Sequence, residues 1–181
     1  MSRGVNVVIV CEDRQHEAFA RRFLGQAGKG LRVQRVEVSP KGRGSGEQFV
    51  RARFAKELAY YRGRQHRREQ ALIVVLDADA RDVAGRIEEI EEAATQGGQD
   101  RRRPGERVAI FVPARNIETW LAYLGGKAVN ENDTYPRLER ARECKRHVEH
   151  LYEMCQQGAL REPAPPSLKA ACTEYRARLQ S

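Results

Sequence analysis

The run Ala71-Leu-Ile-Val-Val-Leu76 places six apolar residues in succession. A strand with one wet face would alternate with a period of two, and a bilayer-spanning helix would need roughly 20 such residues. A short, continuous, β-branched run is therefore read as a strand buried on both faces, the kind found in parallel sheets. Val5-Asn-Val-Val-Ile-Val10 and Arg107-Val-Ala-Ile-Phe-Val112 have the same character. Leu31 to Val38 alternates instead, with Leu31, Val33, Val36 and Val38 apolar and a one-residue slip of phase near Gln34-Arg35.

Between these runs the period changes to that of a helix. Arg14 to Leu24 carries Ala18, Phe19 and Phe23 on one face, and a helix from Ser45 or Gly46 carries Val50, Phe54, Leu58 and Tyr61 on one stripe. Asp82 to Ala94 ends at Gly97-Gly98, and Asn116 or Thr119 opens a helix through Leu124. Four strands alternating with helices predict an α/β, Rossmann-like domain over residues 1–125. Its four-stranded sheet is mainly parallel, with right-handed crossovers and helices on both faces. Residues 126–181 read as a helical extension packed on that domain. Arg137 to Cys155 is expected to be one helix, and Ser167 to cap a last helix through Leu179.

The chain is 40% hydrophobic and 32% charged, which suits a globular protein. Its start, Met1-Ser-Arg-Gly, has no leader pattern, and a cytoplasmic location is expected. On that reading the four cysteines, at 11, 144, 155 and 172, are not expected to form a disulfide framework. Cys144, His147, His150 and Cys155 invite a zinc reading, but Cys144, Val148, Leu151 and Cys155 share one apolar helical stripe from which the histidines depart. Core cysteines are the expectation. The net charge of +8 favours polyanionic partners, nucleic acid above all, although most of the 33 basic residues are Arg, a bias that composition alone can produce.

The strand ends carry the chemistry. The first strand ends at Glu12-Asp13 and the third at Asp77-Ala-Asp79. In an open parallel sheet, ligands bind at the carboxyl ends of strands where the strand order reverses. With the order 2-1-3-4, Glu12, Asp77 and Asp79 converge there. Asp77 and Asp79 alternate around Ala78, so an extended segment would turn both the same way. Carboxylates gathered in this manner repel unless a cation joins them, and an oxygen-only site suits Mg²⁺ or Mn²⁺. Glu12, Asp77 and Asp79 are the candidate catalytic and metal-binding residues, with Asp13 an additional ligand candidate.

Val8-Ile-Val-Cys-Glu12 together with Leu76-Asp-Ala-Asp79 resembles the Toprim domain of topoisomerases, primases and OLD-family nucleases. The resemblance covers about the first 125 residues. It implies that Glu12 is a general acid/base or metal ligand and that Asp77 and Asp79 hold Mg²⁺. The chain departs from the pattern in two places. Asp13 stands where Toprim domains usually have Gly, and His16, followed by Glu17, stands where the nuclease branch often has an acid. His16 is a secondary candidate for ligand or proton carrier, with a position on the helix surface expected. Arg115-Asn-Ile-Glu-Thr-Trp-Leu121 and Pro165 to Tyr175 resemble segments of small OLD/Rlo-type Toprim proteins encoded beside ABC-type ATPases in phage-defence loci. The resemblance therefore implies an ATPase partner, in keeping with the lack of a Walker A motif here.

Asn116 and Glu118 are further candidates for the cleft, and Trp120 is expected to anchor the core. Lys41, Arg43 and Arg115 are the candidate nucleic-acid contacts. The loop Lys41-Gly-Arg-Gly-Ser-Gly46 reads equally as a phosphate cradle or as a flexible basic turn. The expected function is metal-dependent phosphodiester hydrolysis of DNA or RNA in antiviral defence. The alternative is a catalytically silent, nucleic-acid-binding or regulatory subunit of the same fold. A glycosyltransferase D-x-D would leave Glu12 without a role, and the chain is short for a topoisomerase or a primase.

Overall fold

The computed structural model describes residues 4–26, 30–66 and 69–180. Its strands are β1 (Val5–Cys11), β2 (Leu31–Val38), β3 (Gln70–Val75) and β4 (Val108–Phe111). All pair in parallel, in the order β2-β1-β3-β4. The helices are α1 (Arg14–Gln26), α2 (Gly46–Arg64), α3 (Val83–Gln96), α4 (Ile117–Leu124), α5 (Lys145–Val148), α6 (Leu151–Gln157) and α7 (Pro166–Leu179). The α/β class and the parallel sheet are those read from the sequence. Among the described residues no helix is long and apolar enough to cross a membrane.

Period-two alternation divides the core between the two faces of the sheet. Val7, Ile9, Ala71, Ile73, Val75, Ala109 and Phe111 face one side with Phe19 and Phe23 of α1, Trp120 of α4 and Tyr175 of α7. Val10, Leu72, Val74, Val108 and Ile110 face the other, with Phe54 and Leu58 of α2 and Ile90 of α3. The strand order explains this division. The chain steps outward from β1 to β2, then back across β1 to β3 and on to β4. Crossovers of one hand made in opposite directions land on opposite faces.

The slip of phase in β2 is a bulge. Val7 pairs with Val33 and Val8 with Arg35, so Gln34 is the extra residue. Capping follows composition at two helices. The Ser45 side chain accepts from Gln48 N at the start of α2, and Asp82 does the same for Gly85 N at α3.

The carboxyl-terminal part differs from expectation in three respects. The segment 137–155 is not one helix. It is a 3₁₀ turn (Ala141–Cys144), then α5 and α6 with a break between them. Cys144, Val148, Leu151 and Cys155 are nonetheless all buried in the core with α1. Spacing of this kind fixes which side chains point inward, and a tight turn and a bend satisfy it as well as a continuous ladder does. Secondly, Ser167 is not a cap. α7 starts at Pro166, whose preset φ suits the first helical position. The Ser167 hydroxyl instead accepts from buried Trp120 Nε1 at 2.8 Å and donates to Glu131 at 2.5 Å. Thirdly, Cys155 and Cys172 form a disulfide joining α6 to α7, whereas Cys11 and Cys144 are buried free thiols. Two helices that lie side by side bring these cysteines together, although 17 positions separate them.

α7 also covers the edge strand β4, where Glu174 accepts from Ile110 N at 3.1 Å. On the other face, Arg62 of α2 ties down the loop before β4. It donates to both oxygens of Glu106, at 2.7 and 3.0 Å, and to the carbonyls of Asp100 and Arg101. Burial pushes the Glu106 carboxyl up, but the Arg62 hydrogen bonds and the Arg103 N–H outweigh it and hold it below 4.5. A depressed carboxyl contributes stability above its unfolded value and loses it as pH falls through the folded one. Glu106→Ala is expected to cost about 3 kcal/mol at pH 7 in urea unfolding. The gap from the native protein should close as pH drops below 4.5.

Candidate functional site

Glu12, Asp13, Asp77 and Asp79 sit just beyond the carboxyl ends of β1 and β3. The parallel register runs from Asn6 opposite Gln70 to Cys11 opposite Val75. One step on, Glu12 leaves β1 beside the segment that leads to Asp77. β4 stays zipped to this segment past the strand ends. Ala78 N donates to Pro113 O and Asp79 N to Arg115 O, both at 2.9 Å. The three loops are thus held as one edge.

Glu12 is half-buried, and its Oε1 is buried without a hydrogen-bond partner. Burial raises its carboxyl to about 7, helped by the charges of Asp77 and Asp79 and opposed by His16 and Arg86. Gly46, first residue of α2, packs against it. A Cβ there would lie 3.0 Å from Glu12 Cβ, so the glycine is what lets the helix start approach this acid.

Asp13 caps α1, its Oδ1 accepting from Gln15 N at 2.8 Å and His16 N at 3.0 Å. Its Oδ2 takes a hydrogen bond from Arg137 at 2.6 Å. Burial raises the Asp13 carboxyl, but His16, these N–H groups and Arg137 lower it overall. Both of its oxygens are thereby occupied in holding the loop and helix.

His16 is not on the helix surface as expected; it is 1% exposed. Its Nε2 lies 2.9 Å from Asp77 Oδ1 and its Nδ1 lies 3.4 Å from Asp13 Oδ1. Burial alone would favour neutral imidazole, but Asp77, Asp13 and Glu12 outweigh it and raise His16 to about 9. The Asp13 cap fixes where α1 begins, so the third helical residue points back at β3.

Asp79 departs from the extended alternation. The strand has ended, and Asp79 takes a left-handed φ of 54°, its side chain largely exposed. Arg86 NH2 stands 3.7 Å away. Burial and the charge of Asp77 raise its carboxyl, and Arg86 opposes them. Arg86 is buried, with partners at Ala78 O (3.1 Å), Glu89 (2.7 Å) and Glu47 (3.3 Å).

α4 enters through Glu118, which accepts from buried Gln15 Nε2 at 2.9 Å. Burial raises the Glu118 carboxyl, and the nearby charge of Asp77 raises it further. Asn116 is the N-terminal flank of α4, with its Oδ1 buried and unpartnered. Lys41 and Arg43 are exposed on the loop beside Glu12, and Lys41 lines a cleft of about 400 Å³ with Glu12, Asp13 and Gly46. Arg115, with φ 66°, points its guanidinium to Asn132 O at 3.0 Å.

Arg86 and Gln15 carry roles that sequence reasoning missed. The signal was a polar residue in an apolar stripe: Arg86 precedes Ile90 and Ala94 at four-residue spacing, and Gln15 precedes Phe19 and Phe23.

Among the described residues, no three His, Cys, Asp or Glu side chains stand ready as a cage for an ion. The donor chemistry still fits a hard divalent cation. A buried carboxylate oxygen of Glu12 has no partner, and burial, with the charge of Asp77 added, raises both Glu12 and Asp79. Neither a known protein family nor a curated protein nor a solved structure matches the chain.

A raised carboxyl reverses the usual linkage. Glu12 costs nothing below its unfolded value of 4.5, and the penalty grows as pH rises to about 7. In chelator, Glu12→Gln is expected to be more stable than the native protein at pH 8, by about 1–3 kcal/mol, and equal to it near pH 4. Added Mn²⁺ should stabilise the native protein and not the variant. Urea unfolding under the three conditions measures this.

Proposed function

We propose that the chain is a Toprim-like, metal-dependent phosphodiesterase acting on nucleic acid as an antiviral defence effector beside an ABC-type ATPase. The observation that carries this reading is the pairing of β1 with β3, which sets Glu12, its Oε1 buried and unpartnered, at the same sheet edge as Asp77 and Asp79. Asp77, Asp79 and Glu12 would hold Mg²⁺ or Mn²⁺, which when bound polarises a phosphoryl oxygen and supplies a hydroxide-like nucleophile.

The residues divide the remaining work. Glu12, its Oε1 buried and unpartnered, would serve either as a ligand of the ion or, where it stays off the ion, as the group that takes a proton from the attacking water. His16 orients Asp77 through Oδ1. Lys41 and Arg43, exposed on the cleft loop, attract the phosphodiester backbone, and the net charge of +8 favours the encounter. The ATPase partner rests on the family resemblance alone.

One observation favours the second reading, a silent subunit of the same fold. The His16–Asp77 pair already gives the central acid a partner at 2.9 Å, and the site has no preformed cage among the described residues. Cleavage assays on single- and double-stranded DNA and RNA, with Mg²⁺ or Mn²⁺ and with or without the ATPase, separate the two. Metal-dependent cleavage that Glu12→Ala and Asp77→Ala reduce to background, in folded protein, is the expected result. Undiminished cleavage in those variants refutes the phosphodiesterase. Failure of the native protein to bind either metal supports the silent subunit.

A further inference from the structure

At the other end of the sheet, a cavity of about 240 Å³ opens between the last turns of α2 and the start of β3. Val8, Ala71 and Leu72 line it, with Gln34, Tyr60, Arg64 and Gln70 among its polar and aromatic walls. From Gln70 to Asp77 the strand advances about 20 Å, so this cavity is separate from the acidic cleft.

Independent features meet here. Gln34 is the bulge residue of β2, without a partner on β1, and bulges re-aim a side chain out of the ladder. Tyr60 is a large hydrophobic residue exposed at 57%, and the Arg64 guanidinium stands 5.6 Å from its ring centroid. The Gln34 and Gln70 amides have no side-chain hydrogen bonds among the described residues. Glu57, 2% exposed, is held in the wall by both guanidinium nitrogens of Arg35, at 2.8 and 2.6 Å, and by Arg53 at 3.0 Å. The charge of Glu57 is thereby met, which leaves Arg64 to face an incoming anion.

A ligand that answers all of these walls has a flat aromatic face for Tyr60 and an edge of donors and acceptors for two amides. It also has a negative charge for Arg64. An acyl chain would leave both amides unpaired, and an aromatic peptide side chain lacks the anion. The volume falls below the about 300–1,000 Å³ of sites for drug-sized ligands, so it suits one ring system and not a stacked pair. We propose that this cavity binds a single nucleobase stacked on Tyr60, its edge read by Gln34 and Gln70 and its phosphate met by Arg64. The base belongs either to a free mononucleotide or to one residue splayed from a single strand, since the recognising chemistry is the same.

The test titrates the full chain, in chelator, with adenosine and guanosine monophosphates by calorimetry and with a labelled single-stranded oligonucleotide by anisotropy. Saturable binding is expected, weakened about tenfold or more by Tyr60→Ala and by Arg64→Ala, and retained by Tyr60→Phe, which keeps the ring. Mononucleotide binding identifies the free nucleotide as the source. Tyr60-dependent binding of the oligonucleotide alone identifies the splayed base. Asp77→Ala should leave either untouched, so the result stands apart from the fate of the acidic cleft. No saturable binding of any probe, or unchanged affinity in Tyr60→Ala and Arg64→Ala, overturns the proposal.

Discussion

The parallel pairing of β1 with β3 is the interaction on which the rest of this molecule depends. Both strands are central, so each must be apolar on its two faces, and each can carry polar chemistry only where it ends. Because their register keeps Cys11 opposite Val75, the two ends coincide. Glu12 and Asp77 then arrive at one edge without any long-range contact of their own to bring them there. Everything around them adjusts to that crowding: Asp13 sets the start of α1, His16 turns back toward Asp77, Gly46 gives room to Glu12, and Arg86 rises from α3 toward Asp79.

The local electrostatics show a site organised against its own stability. A carboxyl raised to about 7 beside a histidine raised to about 9 means that burial and like charge are balanced by one imidazolium and one guanidinium. Such strongly shifted, mutually opposed groups at the carboxyl ends of strands are enriched at functional sites. The compensation is incomplete at Glu12 Oε1. That incompleteness is the physical ground for reading the edge as a place where an ion or a proton is handled.

Much of the scaffold could be read from residue patterns. The continuous runs of β1 and β3 mark buried parallel strands, and the slip of phase at Gln34-Arg35 falls where the structure has a bulge, since period two leaves no freedom for an extra residue. The order 2-1-3-4, which the convergence of the acids requires, is the order observed. The placement of His16 was hidden, because one polar residue in a helix does not reveal its rotation until the cap is known. The Cys155–Cys172 bridge was hidden for a similar reason: it depends on how α6 and α7 lie side by side. The broken segment from 141 to 157 kept its buried stripe and lost its continuity, which shows that periodicity reports faces and not hydrogen-bond ladders. Asp79 turned away from the extended geometry because the strand had already ended at Val75.

The central claim is that this sheet edge holds a divalent cation through Asp77 and its neighbours. Titration of the purified chain with Mn²⁺, followed by the electron paramagnetic resonance signal of the free ion, tests it without reference to any substrate. The account predicts saturable binding in the native protein and its loss in Asp77→Asn, which keeps size and shape while removing the charge. A native protein that leaves all the Mn²⁺ free, or an Asp77→Asn variant that binds it as well as the native protein does, contradicts the account.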